Sequence, residues 1–324
     1  MIFRPATELD LSGLAPLFGP DPVGSITAEV FQARIADGQY LPSRTWIAEA
    51  DPGTGGNGPL ALATWWARPW TIPPRALDGL SVGDLPEGAD RTDLAAGLLS
   101  AAHQAFARDG VTRPPEFHIL LPSDWRDRED VTEAVAWRQE AARRAGLTEA
   151  LERIRYEWTP ADGLPGPRGR LTFRAEPDDE VFVRLFTRTL TGTLDSTSDQ
   201  QRRLVGAEAQ ARADVEFYRD NMPGERGWWR VAYTADGQPA GYGVPSRNTE
   251  SPVVGYLGVL PEQRGHGYAE EILAEITRIL VEEADAAVIN ADTDLGNRPM
   301  AAAFDRAGYR TLGHRLVLSA PPGA

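Results

Sequence analysis

Cysteine is absent from the 324-residue sequence, so there is no disulfide, no thiol nucleophile and no thiolate metal site. Lysine is absent as well, and all 33 basic residues are arginine. That removes Schiff-base chemistry and the lysine a Walker A loop requires. No run approaches the ~20 apolar residues of a membrane span, and the start lacks a basic segment followed by an apolar one. Positive charge is scarce too: the formal net charge is -14 and the pI is near 4.8. Such a surface repels phosphate backbones and anionic lipid, so neither nucleic acid nor a membrane is an expected partner, whereas cationic ligands are accommodated more easily. There are only four histidines, and His103, His118 and His314 are scattered without ligand-spaced neighbours, so no metal site is expected. The expectation is a cytoplasmic protein, a monomer or homodimer.

What is present supports two domains. With 42% hydrophobic residues, a chain of this length can fill two cores. The clearest break is ADGLPGPRG, Ala161 to Gly169, which reads as a linker. The segments on either side correspond. Phe3-Arg4 followed by LDLSGLAPLF matches Phe173-Arg174 followed by DDEVFVRLF, each a short strand leading into an amphipathic helix. RRAGLTEALERIRYEW, from Arg143, likewise matches DRAGYRTLGHRLVLSA, from Asp305, each ending a helix at Ala-Gly before an apolar alternation resumes. The shared order of elements points to an internal duplication, with domains at 1–160 and 170–324.

The second half reads as a mixed α/β sheet. Trp228 to Pro245 is a hairpin turning at Asp236-Gly237, and Ser251 to Leu260 is a buried strand. Tyr268 to Glu283 carries Ile272, Leu273, Ile276, Ile279 and Leu280 at helical spacing. Ala286 to Ala291 is another strand, and a helix opens at Pro299. Between strand and helix lies PEQRGHGYAEEI, with Gly265 and Gly267 where the helix's first amides lack acceptors. Those amides and the positive helix end make an anion site; the glycines remove Cβ atoms that would hold a phosphate away, and Arg264 adds donors. A dinucleotide fingerprint would need a third glycine where Glu270 stands, which disfavours a Rossmann site, and a P-loop needs the missing lysine.

The remaining pattern, R-G-x-G-x-A over Arg264 to Ala269, resembles the acetyl-coenzyme A signature of the GNAT superfamily of N-acetyltransferases. The resemblance continues through DTDLGNRPMAAAFDRAGY and covers roughly residues 170 to 320. It implies two tandem domains of α+β type, each a mixed, mostly antiparallel sheet flanked by helices. It also implies that acetyl-CoA is the co-substrate, its pyrophosphate held by the amides of Arg264, Gly265, His266, Gly267, Tyr268 and Ala269. Pantetheine would lie where the strand carrying Leu257 to Leu260 splays from the strand carrying Ile289 and Asn290. An amide near Val259 would polarise the acetyl carbonyl. Asn297 would hold the pantetheine arm, cap the following helix, or do both.

Transfer to an alkylamine also needs a proton acceptor, because an amine of pKa near 10.4 is roughly 99.9% protonated at neutral pH. By the resemblance Glu250 is the candidate base, with Asp292 and Asp294 read as solvated loop carboxylates. Phe304 stands where many members carry a tyrosine that protonates the leaving thiolate, so Tyr256 or water would serve instead. Trp65-Trp66 and Trp228-Trp229 read as core residues, with Trp228 a possible lining of an acceptor pocket. The first half resembles the same fold with its loop spoiled, as in mycothiol synthase and other actinobacterial tandem acetyltransferases. Thr92 and Leu94 replace the glycines and Asp93 adds a repelling charge, so this half is expected to bind no coenzyme A. The implied activity is acetyl transfer to the amine of a small polar or cationic molecule in a ternary complex. A non-catalytic acyl-CoA sensor and a different acyl donor are the alternatives.

Overall fold

A computed structural model describes residues 1–23, 26–51, 58–166, 168–248 and 251–322. The elements from the first half are β1 (Ile2–Pro5), α1 (Ala28–Ala36), β2 (Thr45–Glu49), β3 (Pro59–Trp66), β4 (Ala76–Val82), α2 (Arg91–Arg108), β5 (Glu116–Leu121), α3 (Glu129–Arg144) and β6 (Glu149–Trp158). There follow β7 (Thr172–Ala175), α4 (Asp179–Thr189), α5 (Ser196–Val205), α6 (Ala207–Asp220), β8 (Arg230–Tyr233), β9 (Pro239–Arg247), β10 (Pro252–Val259), α7 (Tyr268–Ala284), β11 (Ile289–Asp294), α8 (Arg298–Arg306) and β12 (Arg310–Ser319).

These elements form two compact units, residues 1–152 with 314–324, and residues 153–313. Strands in the first unit run in the order β1-β2-β3-β4-β5-β12, and in the second β7-β8-β9-β10-β11-β6. Within each unit, pairing is antiparallel except at one place, the fourth strand against the fifth: β4 beside β5, and β10 beside β11. The same plan with the same parallel pair is the mixed, mostly antiparallel architecture the resemblance implies. The closing strand of each unit comes from the far end of the other sequence repeat. Part of β12 completes the first unit, where His314 to Leu318 pair with β5, and β6 from Arg153 onward completes the second, pairing with β11. Unit limits therefore depart from the linker at 161–169, whose first residues belong to a 3-10 turn, Pro160–Asp162, closed by a Thr159–Asp162 capping box.

Each core follows from strand alternation and helix stripes. In the second unit α7 lays Ile272, Leu273, Ile276, Ile279 and Leu280 against its sheet, all at most 1% exposed. Gly146 and Gly308, at φ +93° and +83°, end α3 and α8 in the left-handed conformation the Ala-Gly pairs foretell. LDLSGLAPLF is not the helix its apolar spacing suggests. Gly13 and Pro16 break it into two 3-10 turns, Leu11–Gly13 and Ala15–Leu17, whereas the matching DDEVFVRLF segment does form α4.

Candidate active site

The turn between β10 and α7 is built around missing side chains. Gly265 and Gly267 have φ of +84° and +73°, the left-handed region that glycine enters without penalty. A Cβ on Gly265 would meet no atom within 4 Å, and one on Gly267 only the Arg170 guanidinium at 3.6 Å. The amides of Gly265 to Ala269 have no hydrogen-bond acceptor among the described residues. They stand at the positive end of a 17-residue helix. The turn opens on a cavity of about 500 Å³ lined by Leu257, Val259, Arg264, Gly265, Gly267, Tyr268, Ala269 and Asn297 among others. Unpaired donors, a helix N-terminus and open space fit a diphosphate.

Not every expected residue faces that cavity. Leu260 is fully buried in a core cluster. The exposed His266 ring stacks on Tyr268 at 5.4 Å, with Nδ1 3.3 Å from the Gln263 carbonyl. Phe304, 2% exposed, stacks on Tyr156 and lines a neighbouring cavity instead. The Arg264 side chain is not the free phosphate donor its place in the signature implies. Its guanidinium donates to the carbonyl oxygens of Thr189 (2.9 Å), Thr191 (2.9 Å) and Gly192 (3.0 Å), fastening the turn to the C-terminal end of α4. Arg170 clamps the other side, donating to the His266 carbonyl at 2.6 Å and pairing with buried Glu271 at 2.5 Å. Glu270 lines the cavity, but Arg306 at 2.7 Å and Arg168 offset its charge.

Next to the turn the sheet is split. β10 and β11 share one registered pair, Val253 with Asn290, and a bulge between Val254 and Tyr256 interrupts the pairing of β10 with β9. The Leu260 amide donates to the Ala240 carbonyl on the β9 side, so by strand alternation the polar groups of Val259 and Leu257 point the other way, into the split. This is the gap expected to receive an extended pantetheine arm. Asn297 caps α8, its side chain accepting from the Met300 amide at 3.3 Å, and it lines both cavities.

The second cavity, about 340 Å³, shares Thr193, Tyr256, Leu257, Asn297 and Met300 with the first. Its other walls carry Arg153, Asp195, Asp214, Tyr218 and Asp292. Asp292 and Asp294 are not the solvated loop carboxylates expected from sequence. Arg153 reaches Asp294 at 3.1 Å, Asp292 at 3.2 Å and Asp195 at 3.6 Å, and Asp294 is only 2% exposed. Burial raises the Asp294 pKa, and it raises those of Tyr218 and Tyr256 well above the ordinary phenol value, so both hydroxyls keep their protons. The Tyr256 hydroxyl lies 3.5 Å from that of Ser198. Glu250 lies outside the described residues. Sequence reading missed Arg153, Asp195, Asp214 and Tyr218; a signal existed in the polar helical stretch after Leu194, which carries no motif.

In the first unit, the place of the cofactor turn is filled differently. α2 starts at Arg91, so Asp90 rather than Leu94 occupies the cap position that Gly267 holds before α7. The Asp90 carboxylate accepts from the Asp93 amide at 2.8 Å, which supplies an anion from within the chain. Leu94 points into the core at 7% exposure and is not the obstruction sequence suggested. Trp65, Trp228 and Trp229 are core residues, and Trp228 lines neither cavity of the second unit. Among the described residues, no group of His, Asp and Glu is arranged to hold a metal, and no helix is long and apolar enough to cross a membrane.

Residues 170–310 match the family model described as an acetyltransferase (GNAT) domain. No curated protein sequence is similar enough to match. Among solved structures, the chain is similar to a GCN5-related N-acetyltransferase from Sphaerobacter thermophilus: 17% identity, TM-score 0.56, covering 98% of this chain and 94% of that one. A tandem GNAT protein from the clavulanic acid biosynthesis pathway aligns over 100% of this chain and 99% of its own at 16% identity and TM-score 0.50. A GCN5-related glucosamine N-acetyltransferase region in a fungal multi-domain GH3 β-N-acetylglucosaminidase aligns at 14% identity and TM-score 0.51, covering 98% of this chain and 38% of that one.

Proposed function

We propose that the protein, whose residues 170–310 match the family model of an acetyltransferase (GNAT) domain, is an acyltransferase that moves an acetyl group from acetyl-CoA to the amine of a small polar or cationic acceptor by direct transfer in a ternary complex. The observation that carries this reading is the run of acceptor-free amides from Gly265 to Ala269, which opens into a cavity sharing walls with a second, carboxylate-lined one. The first cavity suits the coenzyme, with its diphosphate at the turn and its pantetheine arm in the split beside Leu257 and Val259. The second suits an ammonium. Main-chain N–H groups in the split would stabilise the oxyanion that develops on the acetyl carbonyl. Tyr256, kept protonated by burial and lining both cavities, would donate to the departing sulfur. The first unit would hold no coenzyme, because Asp90 already serves the start of α2.

Thiol release tests the reading. With acetyl-CoA and a panel of primary amines, release should exceed hydrolysis by at least tenfold for some acceptor. Tight coenzyme binding without acceptor-dependent release would make the protein an acyl-CoA sensor instead. Succinyl- and propionyl-CoA run in parallel fix the donor.

A further inference from the structure

Asp214 stands apart from the other carboxylates of the second cavity. Asp195, Asp292 and Asp294 all face the Arg153 guanidinium, whereas Asp214 forms no ion pair among the described residues. Its Oδ1 accepts from the Gln210 Nε2 at 2.8 Å, one turn earlier on α6. Its Oδ2 is shielded from solvent and has no hydrogen-bond partner, yet the residue lines the cavity. A buried carboxylate oxygen with nothing to accept from is costly, on a chain that places arginine beside many of its other carboxylates. The walls common to both cavities, Tyr256 and Leu257 among them, place it on the acceptor side of the split strands.

We propose that Asp214 is the general base of the acyl transfer, taking the proton from the acceptor's ammonium group. This rests on the transfer reading above. In the step, the ammonium gives one proton to Asp214 Oδ2 and its nitrogen attacks the thioester carbonyl carbon. The C–N bond forms and the C–S bond breaks. Tyr256 gives its hydroxyl proton to the departing thiolate and takes the second amine proton in its place, so amide and free thiol leave, and Asp214 returns its proton to solvent.

The surroundings favour the protonated carboxyl. Asp195 adds like charge, and Asp214 shares its cavity with Tyr218 of α6, Tyr256 of β10 and Arg153 of β6, whose guanidinium is paired with Asp195, Asp292 and Asp294. Burial pushes its pKa up to about 7. An ordinary aspartate at roughly 3.9 is more than 6 units from an alkylammonium, whereas Asp214 is about 3 units away, a much smaller uphill transfer.

The test follows thiol release from acetyl-CoA with ethylenediamine, putrescine, spermidine, glucosamine and lysine ethyl ester between pH 5.5 and 8.5. Wild-type kcat/KM for the best amine should rise through an apparent pKa near 7. In Asp214→Asn the rate at pH 7 should fall at least 100-fold and that limb should vanish, while acetyl-CoA affinity stays within threefold. Asp214→Glu, which keeps a carboxylate, should retain the limb at a shifted pH and recover at least tenfold over Asn. Asn is isosteric and removes an unpaired charge, so the fold should survive; equal melting of the variants checks this. Asp214→Asn with an unchanged limb and a rate within threefold of wild type overturns the assignment alone. A wild-type protein that binds no acetyl-CoA overturns the transfer reading itself, and one that binds it yet acetylates none of the amines overturns both.

Discussion

Arg264 donates to the Thr189 carbonyl oxygen at 2.9 Å, so the arginine of the coenzyme signature holds the turn in place rather than reaching for phosphate. The carbonyls it satisfies lie at and just beyond the end of α4, where main-chain oxygens lack intrahelical donors. Two loops are thereby joined by one side chain, and the amides of the turn gain their direction from it.

Replacing Arg264 with Ala should therefore weaken acetyl-CoA binding about tenfold, equal to ~1.4 kcal/mol, through a mobile turn and not through a lost phosphate contact. Calorimetry measures the affinity. The dependence of affinity on salt separates the two causes, because removal of a direct phosphate contact would flatten it and loosening of the turn would leave it unchanged.

Asp214 should make stability depend on pH. Its folded pKa of about 7 lies above the ordinary 3.8, so between about pH 4 and 7 the native state holds a proton the unfolded chain has released. Stability then falls as pH rises through that window. Asp214→Asn should remove the fall, so that the variant gains on the order of 2 kcal/mol relative to wild type between pH 4.5 and pH 8. Urea unfolding at those two pH values checks the sign.

The strand at the C-terminal end should matter to the first unit. Leu316 and Leu318 of β12 are 6% and 3% exposed in a cluster that also contains Leu98, Leu99 and Phe117. Leu318→Ala should cost about 2–4 kcal/mol. A chain ending at residue 160 lacks this strand and should fail to unfold cooperatively in differential scanning calorimetry, whereas a cooperative transition would show that the first unit closes without β12.

Much of this was legible in the sequence because the signals are local. The turn Gly265–Gly267, the hairpin at Asp236-Gly237 and the caps at Gly146 and Gly308 each rest on backbone conformations that only a few residue types adopt, and all four have φ near +73° to +93° where they were expected to turn. What was hidden depends on distance along the chain. Nothing near Arg153 shows that it will face Asp292 and Asp294, since β6 pairs with β11 across some 140 residues. Asp214 sits in an ordinary polar helix and becomes unusual only because its Oδ2 is buried without a partner beside a cavity that Tyr218 and Tyr256 also line. The swap of closing strands was invisible for the same reason, because two similar repeats predict two self-contained domains. The role of Arg264 was hidden too, because its spacing marks a signature and says nothing of which carbonyls come within reach.

Amide hydrogen exchange at Gly265 to Ala269, with and without saturating acetyl-CoA, is the most direct measurement. Binding should slow exchange at least tenfold across these five amides, with loss of that protection in Gly267→Leu, whose strained backbone and added side chain would block the cradle while the rest of the protein stays folded. Equal exchange of the five amides at saturating coenzyme would contradict a coenzyme site at this turn.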